Sequence, residues 1–238
     1  MGLTVWARRR ERPAPAGVAT DPFCDTAQPP CSDDPGPYPE SAAPVCEEHT
    51  PAFAGWTELE AAVAGCTRCA LAKGRKHTVF GVGARDARWL LVGEAPGAEE
   101  DKRGEPFVGR AGKLLDAMLA ALGLAREEVF ITNIVKCRPP GNRNPEPEEA
   151  AACSGYLAKQ IEWIAPELIL AMGGVAAQNL LGVETPVGRM RGRVHEGPNG
   201  VPVVVTYHPA YLLRRPIEKR KVWQDLKFAL ATAAPRTS

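Results

Sequence analysis

Four largely apolar runs without alternation constrain this chain more than any other feature: Trp89–Val92, Val129–Val135, Leu168–Met172 and Val203–Tyr207. A strand with one face in water alternates apolar and polar residues, whereas a strand covered on both faces has no reason to. Between the runs, Lys113 to Leu122, Glu146 to Ile164 and Val175 to Leu181 carry helical spacing, and Ile217 to Ala231 follows the last run as a further helix. Pro145 and Pro147 are compatible with the second of these helices only around its first turn. The pattern predicts an α/β fold with a parallel sheet covered on both faces. Ligands of such sheets bind at the carboxyl ends of the strands. The segments at those ends are polar or rich in Gly and Pro: Gly93-Glu94-Ala95-Pro96-Gly97, then Asn133, then Met172-Gly173-Gly174, then His208-Pro209.

Order is expected to begin near Trp56, where Thr57-Glu58-Leu59-Glu60 has the Thr-x-x-Glu form of a capping box. Upstream, residues 1–54 hold 10 of the 23 prolines and few branched aliphatic side chains. Such a segment cannot bury enough apolar surface to offset its chain entropy, so it reads as a disordered leader. Its Cys24, Cys31, Cys46 and His49 lack the tight pairing of a metal knuckle. Arg8, Arg9 and Arg10 followed by Pro13 and Pro15 do not form a secretory signal, and no apolar run reaches the roughly 18 residues of a membrane span. Seven cysteines in 238 residues are too few for a disulfide scaffold, and an odd number suits a reducing compartment. A cytoplasmic protein without a membrane partner is expected.

The formal net charge of +1 conceals an asymmetry. Residues 1–54 carry 4 basic and 8 acidic side chains, while residues 185–238 carry 10 basic and 3 acidic ones. A basic C-terminal quarter suits a polyanion such as nucleic acid, and equally an ordinary solvated face.

Cys66 and Cys69 form a C-x-x-C pair after the first helix, Cys137 follows the second apolar run, and Cys153 lies 16 residues further on. Four thiolates, two of them in a knuckle, suit tetrahedral zinc or a [4Fe–4S] cluster, and spacing alone does not separate the two. The acids from Glu94 to Asp101 follow a buried run directly, which poises them to stabilise a cation or orient a water, and would repel a phosphate. His208 shares the same rim.

Four segments together resemble the family 4, iron–sulfur uracil-DNA glycosylases: Gly93–Gly97, Pro106-Phe107-Val108-Gly109, the run from Thr132 through Cys137 to Arg143, and His208-Pro209-Ala210-Tyr211-Leu212-Leu213. The resemblance covers residues 57–231. It implies a three-layer α/β/α sandwich around a four-stranded parallel sheet, with residues 55–238 as the catalytic domain. It implies a [4Fe–4S] cluster on Cys66, Cys69, Cys137 and Cys153. The implied reaction is hydrolysis of the bond between uracil and deoxyribose in DNA, the first step of base excision repair, by an enzyme expected to act as a monomer.

The same likeness assigns roles. A glycosylase must flip its target out of the stack. Phe107 matches the aromatic on which the base lies, and Asn133 the amide that reads uracil O4 and N3–H. His208 matches a donor to O2 of the departing base. Glu94 faces the sugar, backbone near Ala95 touches the base, and Glu100 is an acid near uracil C5 that would exclude thymine's methyl. Leu212, Leu213 and Arg214 fit an apolar wedge with a phosphate contact, or a helix start whose leucines pack inward. The cluster is expected to anchor the Cys137–Cys153 loop, whose Arg138 and Arg143 would track the DNA backbone. Three rival readings are a relative that captures DNA covalently, a non-catalytic nucleic-acid module, and a glycosylase that also takes deaminated purines. The first would carry a reactive histidine between the late cysteines, and Arg138 to Ala152 contains none.

Overall fold

The computed structural model describes residues 53–233. The Pro-rich leader, with Cys24, Cys31, Cys46 and His49, lies outside the described residues save for its last two positions. The chain runs through α1 (Trp56–Ala64), β1 (Val82–Gly83), β2 (Trp89–Gly93), α2 (Ala98–Arg103), α3 (Arg110–Ala121), β3 (Phe130–Asn133) and α4 (Pro147–Ile164). It continues through β4 (Leu168–Met172), α5 (Gly174–Leu181), α6 (Val187–Met190), β5 (Val194–Glu196), β6 (Pro202–Thr206), α7 (Pro209–Arg214) and α8 (Lys219–Thr232).

The strands form one sheet in the order β1-β3-β2-β4-β6-β5. The middle four are parallel, as the apolar runs predict, and each edge is closed by a short antiparallel strand, which makes the sheet mixed. Because side chains alternate across a strand, each central strand feeds two cores. Leu90, Val92, Phe130, Ile169, Ala171, Val203 and Val205 pack under α1, α4 and α5. Trp89, Leu91, Ile131, Leu168, Leu170, Met172 and Val204 pack under α3, α7 and α8. The result is the expected sandwich of helix, sheet and helix.

Three local expectations need correction. Thr57 is not a cap: α1 begins one residue earlier behind Gly55, and the Glu58 carboxylate accepts from the Ala54 amide at 2.7 Å. The run Val129–Val135 is a strand only from Phe130 to Asn133. Beyond it the Ile134 and Val135 amides still bond to the carbonyls of Gly93 and Glu94, but β2 has ended at Gly93, so no regular ladder continues. Ile217 belongs to a short 3-10 turn, Pro216–Glu218, and the last helix starts at Lys219.

Candidate active site

Strand register brings the site together. Gly93 at the end of β2 pairs with Asn133 at the end of β3, and β6 delivers His208 two residues after its own end. Glu94, Glu100, Phe107, Asn133, His208 and Arg214 line one cleft of about 390 Å³, with Ala95 in its wall. Six groups from three separate segments of the chain thus share a hollow the size of a small ligand.

Phe107 is held in a conformation that a non-glycine residue seldom adopts, with φ of 53°. Such a torsion costs on the order of 1 kcal/mol or more and persists only when neighbours impose it. Two neighbours do. The Arg126 guanidinium, itself paired with Asp116 at 2.9 Å, donates to the Pro106 carbonyl on one side. On the other, Glu100 Oε1 accepts from the amides of Val108 and Gly109, both at 2.9 Å. Gly112 is tied to the same feature, since a Cβ there would overlap the Phe107 carbonyl. The ring is 6% exposed and lies 5.5 Å from the His208 ring, tilted by 31°.

His208 caps α7: its Nδ1 accepts from the Ala210 amide at 3.1 Å. An accepting Nδ1 carries no proton, so the neutral ring presents Nε2–H as its donor. Burial, reinforced by the Arg214 charge and opposed by Glu100, pushes this histidine down to about 4. The imidazole is therefore neutral at physiological pH. Glu94 is partly buried, and that burial raises its carboxyl above the usual range.

Asn133 is 1% exposed, and its Oδ1 has no hydrogen-bond partner in the protein. An unpaired buried acceptor is rare and costs about 1–3 kcal/mol, so it marks a place where a ligand donor belongs. Gly93 makes room for it. A Cβ on Gly93 would sit 2.7 Å from Phe107 Cζ and inside contact distance of Asn133 Oδ1.

Of the wedge segment, Arg214 lines the cleft and Leu213 is 38% exposed. Leu212 is 1% exposed and packs in the α3/α7/α8 core, so it is no wedge: the short helix turns it inward and leaves the rim to its neighbour. Arg143 has a structural role as well. Its guanidinium makes a bidentate pair with the buried Glu149 at 2.8 Å and meets Glu146 at 3.3 Å, so besides lining the cleft it braces the cleft wall. Three residues have supporting roles that the sequence does not assign. Gly93 looked like any turn glycine, Arg126 like a surface charge, and Lys136 like the polar end of an apolar run.

Cys66, Cys69, Cys137 and Cys153 form no disulfide and line one small cavity between α1 and α4. Among the described residues no group of three or more His, Cys, Asp or Glu is set to hold a single metal ion; the four thiols border a common space instead. Arg75 Nη1 donates to Cys137 Sγ, and the Lys136 amide to Cys153 Sγ, both at 3.3 Å. An all-sulfur donor set with N–H groups aimed at the sulfurs fits an iron–sulfur cluster. No described helix is long and apolar enough to cross a membrane.

Residues 80–227 match the Uracil DNA glycosylase superfamily. The type-4 uracil-DNA glycosylase of Archaeoglobus fulgidus is 47% identical over 172 residues, which cover 69% of this chain and 86% of the relative. That of Thermotoga maritima is 48% identical over 159 residues, covering 66% and 83%. A type-5 uracil-DNA glycosylase of Pyrobaculum aerophilum is more distant, at 34% over 147 residues covering 55% and 64%. With the fold, the cleft and these likenesses in agreement, the chain belongs to the type-4 family of the uracil-DNA glycosylase superfamily.

Proposed function

We propose that this chain removes uracil from DNA by flipping the nucleotide into the strand-end cleft and hydrolysing its N-glycosidic bond. The observation that carries the reading is the unpartnered Oδ1 of Asn133. Uracil N3–H donates to that oxygen while O4 accepts from the same amide. Cytosine offers an acceptor at N3 and a donor at N4, so it leaves both ends of the amide mispaired. Each mispairing costs about 1–3 kcal/mol in a buried site.

The remaining groups act in sequence. Phe107 offers its ring face to the base, in a position fixed before the base arrives. His208, neutral and donating through Nε2–H, stabilises negative charge growing on uracil O2 as the bond lengthens. A neutral donor needs no proton from solvent, and preorganised donors of this kind are often the largest catalytic contribution. The departing base leaves an oxocarbenium-like sugar. Glu94 balances that charge and orients the attacking water, and its raised affinity for protons makes it a better base than an exposed carboxylate. Glu100 keeps the Phe107 turn in place and crowds the site near uracil C5. Arg214 and Leu213 hold the flanking strand.

Cys66, Cys69, Cys137 and Cys153 would hold a [4Fe–4S] cluster, which when bound supplies a rigid four-point tie between α1, α4 and the segment after β3. No step of base release passes through it. One chain supplies every cleft group named here, and its substrate is DNA, so we read the enzyme as a cytoplasmic monomer whose catalytic domain is residues 55–238. The test is incubation with an oligonucleotide containing one uracil, followed by alkali. Scission at uracil alone is expected; intact strands, or equal scission at cytosine, would refute the reading.

A further inference from the structure

Lys136 is the largest of the fully buried side chains, at 1% exposure, and nothing in base release calls for it. Its ammonium spends all three donors on neutral oxygens: Thr132 Oγ1 at 2.6 Å, Gln160 Oε1 at 2.7 Å and the backbone carbonyl of Asn133 at 3.0 Å. Thr132 and Gln160 are themselves fixed, since both donate to the Phe80 carbonyl, at 2.9 and 3.0 Å. A buried cation among neutral acceptors is an expensive way to brace a strand end, because a hydrophobic side chain of similar volume is often as stabilising. Its retention asks for a use.

The backbone of the same residue points the other way. The Lys136 amide donates to Cys153 Sγ at 3.3 Å, and its carbonyl accepts from the Val79 amide at 2.8 Å. Its neighbour Cys137 lines the thiol cavity, and so does Lys136 itself. One residue thus touches a cysteine sulfur with its main chain and the base-reading asparagine with its side chain.

We propose that Lys136 is a positioning residue that carries the order of the cysteine centre to Asn133, and through it to uracil recognition. The inference rests on the cleft reading given above. A sulfur-bound amide fixes where the lysine starts, three oxygens fix where it ends, and the Asn133 backbone is locked between Gly93 across the sheet and Nζ beneath it. Asn133 Oδ1 is then presented to the base without having to be ordered by it, which is the form of preorganisation that small displacements destroy.

Lys136→Met is one atom shorter, fills most of the same space and removes the donors. It is expected to retain the visible absorbance and iron content of the wild type and to bind abasic-site DNA as tightly, because an abasic site offers Asn133 nothing to read. Single-turnover release of uracil should fall roughly 10- to 100-fold. Gln160→Met, which removes one acceptor at a distance from the cysteines, should show the same split more weakly. Wild-type uracil release in Lys136→Met overturns the proposal. Equal losses in abasic binding and uracil release also overturn it, since they would make the lysine merely structural. If Lys136→Met fails to fold or loses iron, Gln160→Met decides, and unchanged uracil release there overturns the proposal. Inactivity of the wild type on uracil would instead refute the cleft reading.

Discussion

Adding one methyl group at Gly93 should separate uracil chemistry from DNA binding. Its backbone lies outside the left-handed region, so Gly93→Ala carries no torsional penalty and the effect is steric. The new Cβ would stand 2.7 and 2.9 Å from Phe107 Cζ and Cε2, where ordinary contact starts at 3.4 Å, so the ring must withdraw by about 0.7 Å. Phe107 cannot yield through its backbone, which is clamped by Arg126, Glu100 and Gly112. Asn133 Oδ1, crowded by the same methyl, must rotate away from the position proposed above for its bond to N3–H. Overpacking of this kind costs about 1–3 kcal/mol, or roughly 2–12 °C in melting temperature for a domain this size. Misplacement of both base-facing groups should slow uracil release by about a hundredfold. Single-turnover alkaline cleavage measures the rate, and binding to abasic-site DNA, expected to persist, controls for the rest of the interface. Gly74→Ala, whose Cβ would meet open space, serves as the neutral comparison. Wild-type release of uracil in Gly93→Ala would refute the steric argument.

Other outcomes can be checked on the same substrates. His208 sits at about 4 in the folded chain against an ordinary 6.5, so uracil release should show no histidine limb near pH 6.5. The unfolded chain takes up that proton first, so the stability this histidine contributes should decline as pH falls from about 6.5 to about 4, by at most about 3.4 kcal/mol, and its share of the loss should end there; His208→Gln should flatten that slope in thermal melts. Leu213→Ala should slow uracil release from duplex DNA about tenfold while sparing single strands, whereas Leu212→Ala should cost about 2–4 kcal/mol of stability on either substrate. Cys153→Ala should yield colourless, iron-poor protein that melts earlier; undiminished iron by metal analysis would remove this cysteine from the ligand set.

The central sheet was legible because its strands advertise themselves: Val203-Val204-Val205 and Leu168-Ile169-Leu170 have no polar face to offer water. The edge strands were not. Val82–Gly83 and Val194–Glu196 are two and three residues long and only partly buried or exposed, so neither period nor composition marks them. Glu94, Asn133 and His208 were readable as strand-end residues, and the family resemblance supplied what each faces. Choosing between Leu212 and Leu213 needed the phase of a six-residue helix, which two adjacent leucines do not encode. The lock beneath Asn133 was out of reach for a different reason: Thr132 and Lys136 share one segment, but Phe80 and Gln160 reach them from two others, and each alone is unremarkable.

The torsion stored at Phe107 has a consequence for how the enzyme fails. Beyond its close packing on Gly112, the Phe107 turn is propped by polar contacts from one guanidinium and one carboxylate, while the sheet beneath it is secured by two full cores. Once either prop lets go, the backbone is free to relax to a commoner conformation and the ring swings off its perch. Warming or mild denaturant should therefore silence the enzyme while circular dichroism still reports an intact fold, and cooling should restore it without any refolding lag.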